Sequence, residues 1–231
     1  MQAILWLFAR SFLRQWILWF FVGLAVLLTV LTHQGRLLPS ARLITTGLSF
    51  VLFISLTLIQ SFSAWLRPSW LTLVLVRPRP RWQLFLTLLG AAALAVGLVG
   101  LTLWAPGGPS LPIALLLTTS FGFALAAWLL MGLLLLPSPL LLALLAILYT
   151  FTHSWLSVYA IQGDLTSQLL DTLLPSAMRL FLQMQRVVPW ETTLRFCLEE
   201  LGTGLLIALL IGLLMRHRDI AHLAEEPEAL G

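Results

Sequence analysis

The chain has 231 residues, of which 60% are hydrophobic and only 10% charged, with a formal net charge of +4 and a mean hydropathy of +0.99. An ordinary soluble domain is about half apolar and about a quarter charged. A core of this size does not hide the surplus, so a soluble globular domain is excluded and lipid is the expected solvent.

All thirteen basic residues are arginine. They lie in short segments between apolar runs, the pattern of cytoplasmic membrane loops rather than of a nucleic-acid surface. The single cysteine, Cys197, excludes an internal disulfide and any paired-cysteine metal motif. His33, His153, His217 and His222 are too scattered to form a close-spaced ligand set. No cofactor is expected on this chain.

Met1–Gln15 carries Ile4, Leu5, Phe8, Phe12 and Leu13 at spacings of three and four, with Arg10 and Arg14 between them. That spacing predicts an amphipathic helix on the membrane surface, or else an inward extension of the first span. The apolar run that follows is long and lacks a convincing small-x-small cleavage site, so it reads as a retained membrane helix.

A spanning helix needs about 20 apolar residues, and six segments qualify: Trp16–Thr32, Leu43–Leu66, Gln83–Trp104, Leu111–Leu136, Pro139–Ile161 and Phe196–Met215. The expected fold is therefore all-α: a single polytopic domain over residues 1–231, with an interfacial helix at 1–15, six spans within 16–215 and a polar tail at 216–231. Only Pro137-Ser138-Pro139 separates the fourth and fifth segments, which predicts a very tight hairpin. Between the fifth and sixth, residues 162–195 hold leucines at helical spacing, then Pro175, then Met178, Leu180, Phe181, Leu182 and Met184, then Val188-Pro189. Two short amphipathic helices are expected there, on the surface or dipping into the membrane. With the N-terminus inside, the inner segments hold Arg10, Arg14, Arg67, Arg77, Arg79, Arg81, Arg216 and Arg218, and the outer ones Arg36, Arg42, Arg179, Arg186 and Arg195. This inward bias predicts cytoplasmic N- and C-termini.

Polar residues inside the spans are few. The second span carries Thr45, Thr46, Ser49, Ser55, Thr57, Gln60, Ser61 and Ser63, with Phe50 and Phe53 close to Ser49. These residues serve interhelical hydrogen bonds, or Ser49, Phe53 and Gln60 line a substrate route. His153, beside Trp155 and Tyr159, is either an aromatic-belt residue or a proton- or metal-binding group on that route. Glu199 and Glu200 stand about a turn inside the sixth span. An ionised carboxylate in hydrocarbon costs at least about 2–3 kcal/mol. They line an outer vestibule, pair with Arg195, Arg186 or Arg179, or sit in the headgroup zone because the helix starts later than the apolar run suggests. Glu199 and Arg195 have the four-residue spacing of a helical ion pair.

The most informative stretch is Arg67–Gly90. A short apolar helix, Ser69–Val76, lies between Arg67 and the cluster Arg77-Pro78-Arg79-Pro80-Arg81, and Trp82 opens the next span. Pro78 and Pro80 stiffen this elbow, because each fixes its own φ and pushes the preceding residue to extended geometry. It is either a docking surface for another protein or headgroups, or a plain positive anchor.

The stretch Leu73–Gly90 resembles the intracellular segment of ABC-2-type transporter permeases. In that family a short cytoplasmic helix precedes a Pro-x-x-Arg-like turn, an apolar run and a small residue; Pro78, Arg81, Trp82, Leu84 and Gly90 fit that layout. An N-terminal amphipathic helix, six spans, and an outer helical hairpin punctuated by Leu174-Pro175 and Val188-Pro189 are also similar to the family. Where members carry an acidic residue before the turn, this chain reads Arg67-Pro68-Ser69-Trp70-Leu71-Thr72, and Thr87 replaces a common basic residue.

The resemblance implies a non-enzymatic permease subunit of a bacterial inner-membrane exporter for a hydrophobic or amphipathic substrate. ATP and magnesium would be held by a separate ABC ATPase docked on Arg67, Arg77, Pro78, Arg79, Pro80, Arg81 and Trp82. A second permease copy or a sister subunit would complete the unit within membrane lipid. The chain has no lysine and therefore no phosphate-binding Gly-x-x-x-x-Gly-Lys-Ser/Thr loop. Two rival classes remain: a non-catalytic membrane scaffold, and an intramembrane hydrolase built on Ser120-Phe121-Gly122 and His153.

Overall fold

A computed structural model of the chain describes residues 8, 10–35, 39–66, 81–103, 108–136, 138–159, 175, 177–185 and 188–217. Among these residues the regular structure is entirely helical. Six long helices are α1 (Trp16–His33), α2 (Pro39–Trp65), α3 (Arg81–Gly100, continued by a 3-10 turn at Leu101–Leu103), α4 (Leu111–Leu135), α5 (Pro139–Tyr159) and α7 (Trp190–His217). One short helix, α6 (Ala177–Gln185), precedes α7.

Each expected span falls on one long helix. Four described segments are long and apolar enough to cross a bilayer: Thr45–Trp65, Phe85–Leu103, Leu111–Leu135 and Trp190–Leu213. In α1 and α5 the side chains described cover the apolar stretches Trp16–Leu28 and Pro139–Thr150. Leucines of α5 and α7 such as Leu140, Leu144, Leu198, Leu206 and Leu209 are more than half exposed. An apolar surface of this kind is at home in lipid, and the chain is a multi-pass membrane protein.

Local chemistry sets the helix ends. Gly35, with φ +68°, stands just beyond the end of α1, where a left-handed residue is needed and a side chain would be strained. Leu136 ends α4 with extended geometry at φ −95° and ψ 140°, as the residue before a proline must. The Leu140 amide donates to Ser138 Oγ at 3.2 Å, so Ser138 caps α5 and Pro139 takes its first turn. At the N-terminus, helical residues 10–13 are interrupted at Gln15 before α1 begins, so they do not extend α1 without a break. Phe8 and Phe12 are buried while Arg10 and Leu13 face outward. The Phe8 ring lies 5.7 Å from Phe62 and 6.4 Å from Trp65, near the end of α2.

α4 is the hub. It packs closely against α3 and α7 and also against α2, which in turn carries α1 and α5. α5 touches α4 near their shared turn, where Leu142 abuts Gly132, and packs mainly along α2. The tight hairpin therefore joins two helices that part company. Contact along α4 depends on missing side chains. A Cβ on Gly122 would lie 2.7 Å from Val96 Cβ and 3.2 Å from the Ala93 carbonyl. A Cβ on Gly100 would meet Thr118, and one on Gly204 the Phe123 ring at 2.5 Å and Ala124 Cα at 3.2 Å. The Thr118 hydroxyl lies 3.0 Å from the Gly97 carbonyl on α3 and 2.9 Å from its own Ala114 carbonyl. Small residues that let helix backbones approach, with hydroxyls bridging them, are the main means of association where lipid is as apolar as leucine.

Gly202 faces open space, unlike Gly204 two residues on. Gly122→Ala is expected to destabilise the bundle by about 1–3 kcal/mol through overpacking. Gly202→Ala is expected to be neutral or slightly stabilising. Thermal unfolding of the two variants in the same detergent checks the contrast.

Candidate functional site

The last helix starts earlier than its apolar run suggests, at Trp190 rather than Phe196. Thr192 and Thr193 amides bond back to the Pro189 carbonyl at 3.0 and 3.2 Å, which opens the helix one residue beyond that proline. At ~1.5 Å per residue the 28 residues of α7 span about 42 Å, against a hydrocarbon core of roughly 30 Å. Its first two turns thus have length to project beyond the core. An early start is the opposite of the late start that would have left both glutamates outside the helix.

The two glutamates have different environments, because adjacent helix positions diverge by about 100°. Thr193, Cys197, Glu200, Gly204, Ile207 and Ile211 form the buried stripe of α7, in register to pack on α4. Glu200 is therefore inside the bundle, 6% exposed, near Cys197, whose thiol meets the Ser120 hydroxyl of α4. Ser120 itself donates to the Leu116 carbonyl at 2.8 Å. Glu199 points instead toward α6. Its Oε2 accepts from Arg179 at 2.6 Å and its Oε1 from Arg195 Nε at 2.8 Å. Both partners were among the arginines expected for it; the third, Arg186, lies outside the described residues.

α6 supplies Arg179 because it is amphipathic: Leu180, Gln183 and Met184 are buried, while Leu182 faces outward. Its position is fixed from the chain before it, where the Tyr149 hydroxyl of α5 donates to the Pro175 carbonyl at 2.6 Å. Between α6 and the start of α7 lies a cleft of about 370 Å³, lined by Arg179, Leu182, Gln183, Val188, Thr192, Arg195, Phe196 and Glu199. Gln183 was not expected from sequence. It is 8% exposed and its carbonyl oxygen has no hydrogen-bond donor among the described residues, a defect of about 1–3 kcal/mol. The only sequence signal for it is a glutamine at helical spacing with Leu180, on the apolar face.

No family model, curated protein or solved structure matches this chain.

The other expected residues divide by position. Ser49, Phe53 and Gln60 share one face of α2, with Ser49 half-buried and Gln60 exposed. Phe53 is partly covered by α1, its ring 5.5 Å from Phe20 in an edge contact and 6.3 Å from Phe21. Two of the α2 hydroxyls bond within their own helix rather than across helices: Thr57 to the Phe53 carbonyl and Ser63 to the Ile59 carbonyl, each at 2.7 Å. Thr46 Oγ1 and Ser61 Oγ are buried without a hydrogen-bond partner among the described residues. His153 lies on α5, with its side chain outside the described residues. Arg67, Arg77, Pro78, Arg79 and Pro80 also lie outside them. Arg81 and Trp82 are the first two residues of α3, and their side chains are not among those described.

The two ion pairs of Glu199 differ in worth. Arg195 is 80% exposed and Arg179 only 38%. A double-mutant cycle on thermal unfolding is expected to give a coupling of order 1 kcal/mol or less for Arg179–Glu199 and a smaller one, close to nothing measurable, for Arg195–Glu199.

Proposed function

We propose that this chain is the membrane-spanning permease subunit of an ATP-driven exporter in a bacterial inner membrane, moving a hydrophobic or amphipathic substrate. The carrying observation is the uneven set of connections. Helical residues near the N-terminus are set apart from α1 at Gln15, a Ser-Pro turn links α4 to α5, and a short amphipathic helix flanked by Pro175 and Pro189 stands between α5 and α7. The same order, with a stiff arginine-proline elbow before α3, is what the ABC-2-type resemblance implies.

In this reading all six long helices cross the membrane. The helical residues before Gln15 lie at the cytoplasmic interface with Arg10 outward. Both termini are cytoplasmic, and α6 sits at the outer surface. The chain hydrolyses nothing itself. A partner ABC ATPase, holding ATP and magnesium, docks on the elbow from Arg67 to Trp82, and two permease copies, or one copy and a sister subunit, form the working unit. ATPase closure pushes on the elbow and rocks the helices. The face of α2 carrying Ser49, Phe53 and Gln60 has the polarity to border the route between copies, since it is more exposed than the opposite face, where Ile54, Ser55 and Ser61 are buried.

Two experiments test this. Affinity purification of the tagged chain from its native host should retain an ABC ATPase, and replacing Arg77, Arg79 and Arg81 together by Ala should release it. Retention of the ATPase by a chain lacking the whole elbow sinks the docking assignment. For topology, Cys197 is buried and supplies little background. In a Cys197→Ser chain, a cysteine substituted for Gly231 should react with an impermeant maleimide in inside-out vesicles and not in intact cells.

A further inference from the structure

The formal charge of the chain is concentrated at one end of the bundle. α1, α3 and α5 begin at that end, and α2, α4 and α7 finish there. By chain order, the segments attached to it carry eight of the thirteen arginines but only Asp219, Glu225, Glu226 and Glu228 of the nine acidic residues. The segments at the other end carry five of each, so the net +4 belongs wholly to the first end. No acidic residue occurs before Asp164. Phe8 packs on Phe62 and Trp65 of α2, which places the N-terminal helical turn at this cationic end. In that turn Arg10, Leu13 and Arg14 stand three and four residues apart and face outward, opposite the buried Phe8 and Phe12. The Trp19 indole N–H donates to the Leu13 carbonyl at 2.7 Å, which holds its ring against the same turn across the break at Gln15. Trp16 and Trp19 are 71% and 60% exposed, and Val26, Leu27 and Val30 continue their outward stripe at helical spacing along α1. Guanidinium, indole and aliphatic surface thus follow one another in the order of headgroup, interface and acyl region.

We propose that the junction of the N-terminal turn with α1 binds anionic phospholipid of the adjoining leaflet. The lipid phosphate sits at Arg14, Arg10 one turn earlier adds positive charge, and an acyl chain lies along the outward stripe from Trp16 to Val30. A guanidinium suits phosphate oxygens because it offers parallel N–H donors at matching spacing. Basic residues beside a spanning helix attract anionic lipid over a distance of about one Debye length. A lipid is favoured over a soluble anion because Leu13, Trp16 and Trp19, all more than half exposed, join the charged turn to the apolar face of α1. A ligand on Arg14 therefore lies at the bilayer surface. The rival occupant is the acidic tail of the chain itself, with Glu225, Glu226 and Glu228 attached by sequence to the same end. The assignment requires only that the bundle stand in a bilayer, so it does not depend on the exporter reading.

Lipid photocrosslinking tests it. The full-length chain is reconstituted in phosphatidylcholine vesicles containing a minor share of phosphatidylglycerol. Trace lipids with a photoreactive acyl chain and either headgroup are then activated, and mass spectrometry counts adducts on peptides from residues 10–35. The expected result is an adduct ratio of phosphatidylglycerol to phosphatidylcholine of about five on that segment. Replacing Arg10 and Arg14 together by Gln should bring the ratio to about one, with circular dichroism and elution volume unchanged. Arg14→Gln alone should lower it at least about twofold, and carries the test if the double variant does not fold. Replacing Arg36 and Arg42 by Gln removes equal charge at the other end and should leave the ratio unchanged. A ratio of one in the unaltered chain overturns the proposal, as does a ratio that the Arg14 change leaves alone or that the Arg36 and Arg42 changes lower equally. A ratio of one that rises only in a chain ending at Arg218 overturns the lipid assignment and makes the acidic tail the occupant.

Discussion

Close backbone approach around α4 is the constraint on which the rest of the bundle depends. In lipid, apolar side chains gain little by meeting one another instead of acyl chains, so contact distance and hydrogen bonding decide association. Gly100 and Gly122 bring α3 and α4 together, the Thr118 hydroxyl reaches the Gly97 carbonyl across the seam, and Gly204 seats α7 on the other side. With α3 and α7 seated on this hub, α2 takes a further flank, and α1 and α5 are left to pack on α2. That accounts for the exposed leucines on α5 and α7 and for the aromatic cluster of Phe20, Phe21, Phe50 and Phe53 between α1 and α2.

A second constraint is electrostatic and acts at one end of the bundle. Placing α7 on α4 through Gly204 also fixes the rotation of α7, and with it the fates of its two glutamates. Glu200, on the same stripe as Gly204, is carried inside. Glu199, one residue earlier, emerges toward α6 and is balanced there by two arginines. α6 is held on that side by the bond from Tyr149 to the Pro175 carbonyl and by its own buried Leu180 and Met184. The cleft that results is charged at the rim and apolar along one wall, with Gln183 in its lining.

The arginine-proline elbow precedes α3, and the ion-pair cleft lies at the entrance to α7. In the proposed topology the first faces the cytoplasm and the ATPase, and the second faces the outer leaflet. A rocking bundle would connect them through α4, which packs against both α3 and α7.

Composition and periodicity were sufficient to locate the helices, because the requirement that every backbone group be satisfied inside lipid is local and leaves few alternatives. Six apolar runs predicted six long helices, the Pro-Ser-Pro turn and the proline-flanked α6 were legible, and the four-residue spacing already named Arg195 as a partner of Glu199. Two kinds of feature needed the tertiary structure. Helix starts set by capping rather than hydropathy were misplaced, as at Trp190, where the polar first turns of α7 hide its true beginning. Partner choice was also out of reach: that α5 leaves α4 for α2, that Thr57 and Ser63 bond their own helix, that Arg179 comes from 20 residues away to meet Glu199, and that Gln183 is buried without a donor among the described residues. The sequence by itself determined which segments are helices in lipid. Only packing, which depends on contacts between residues far apart in the chain, decided which face of each helix is inside and which charges meet.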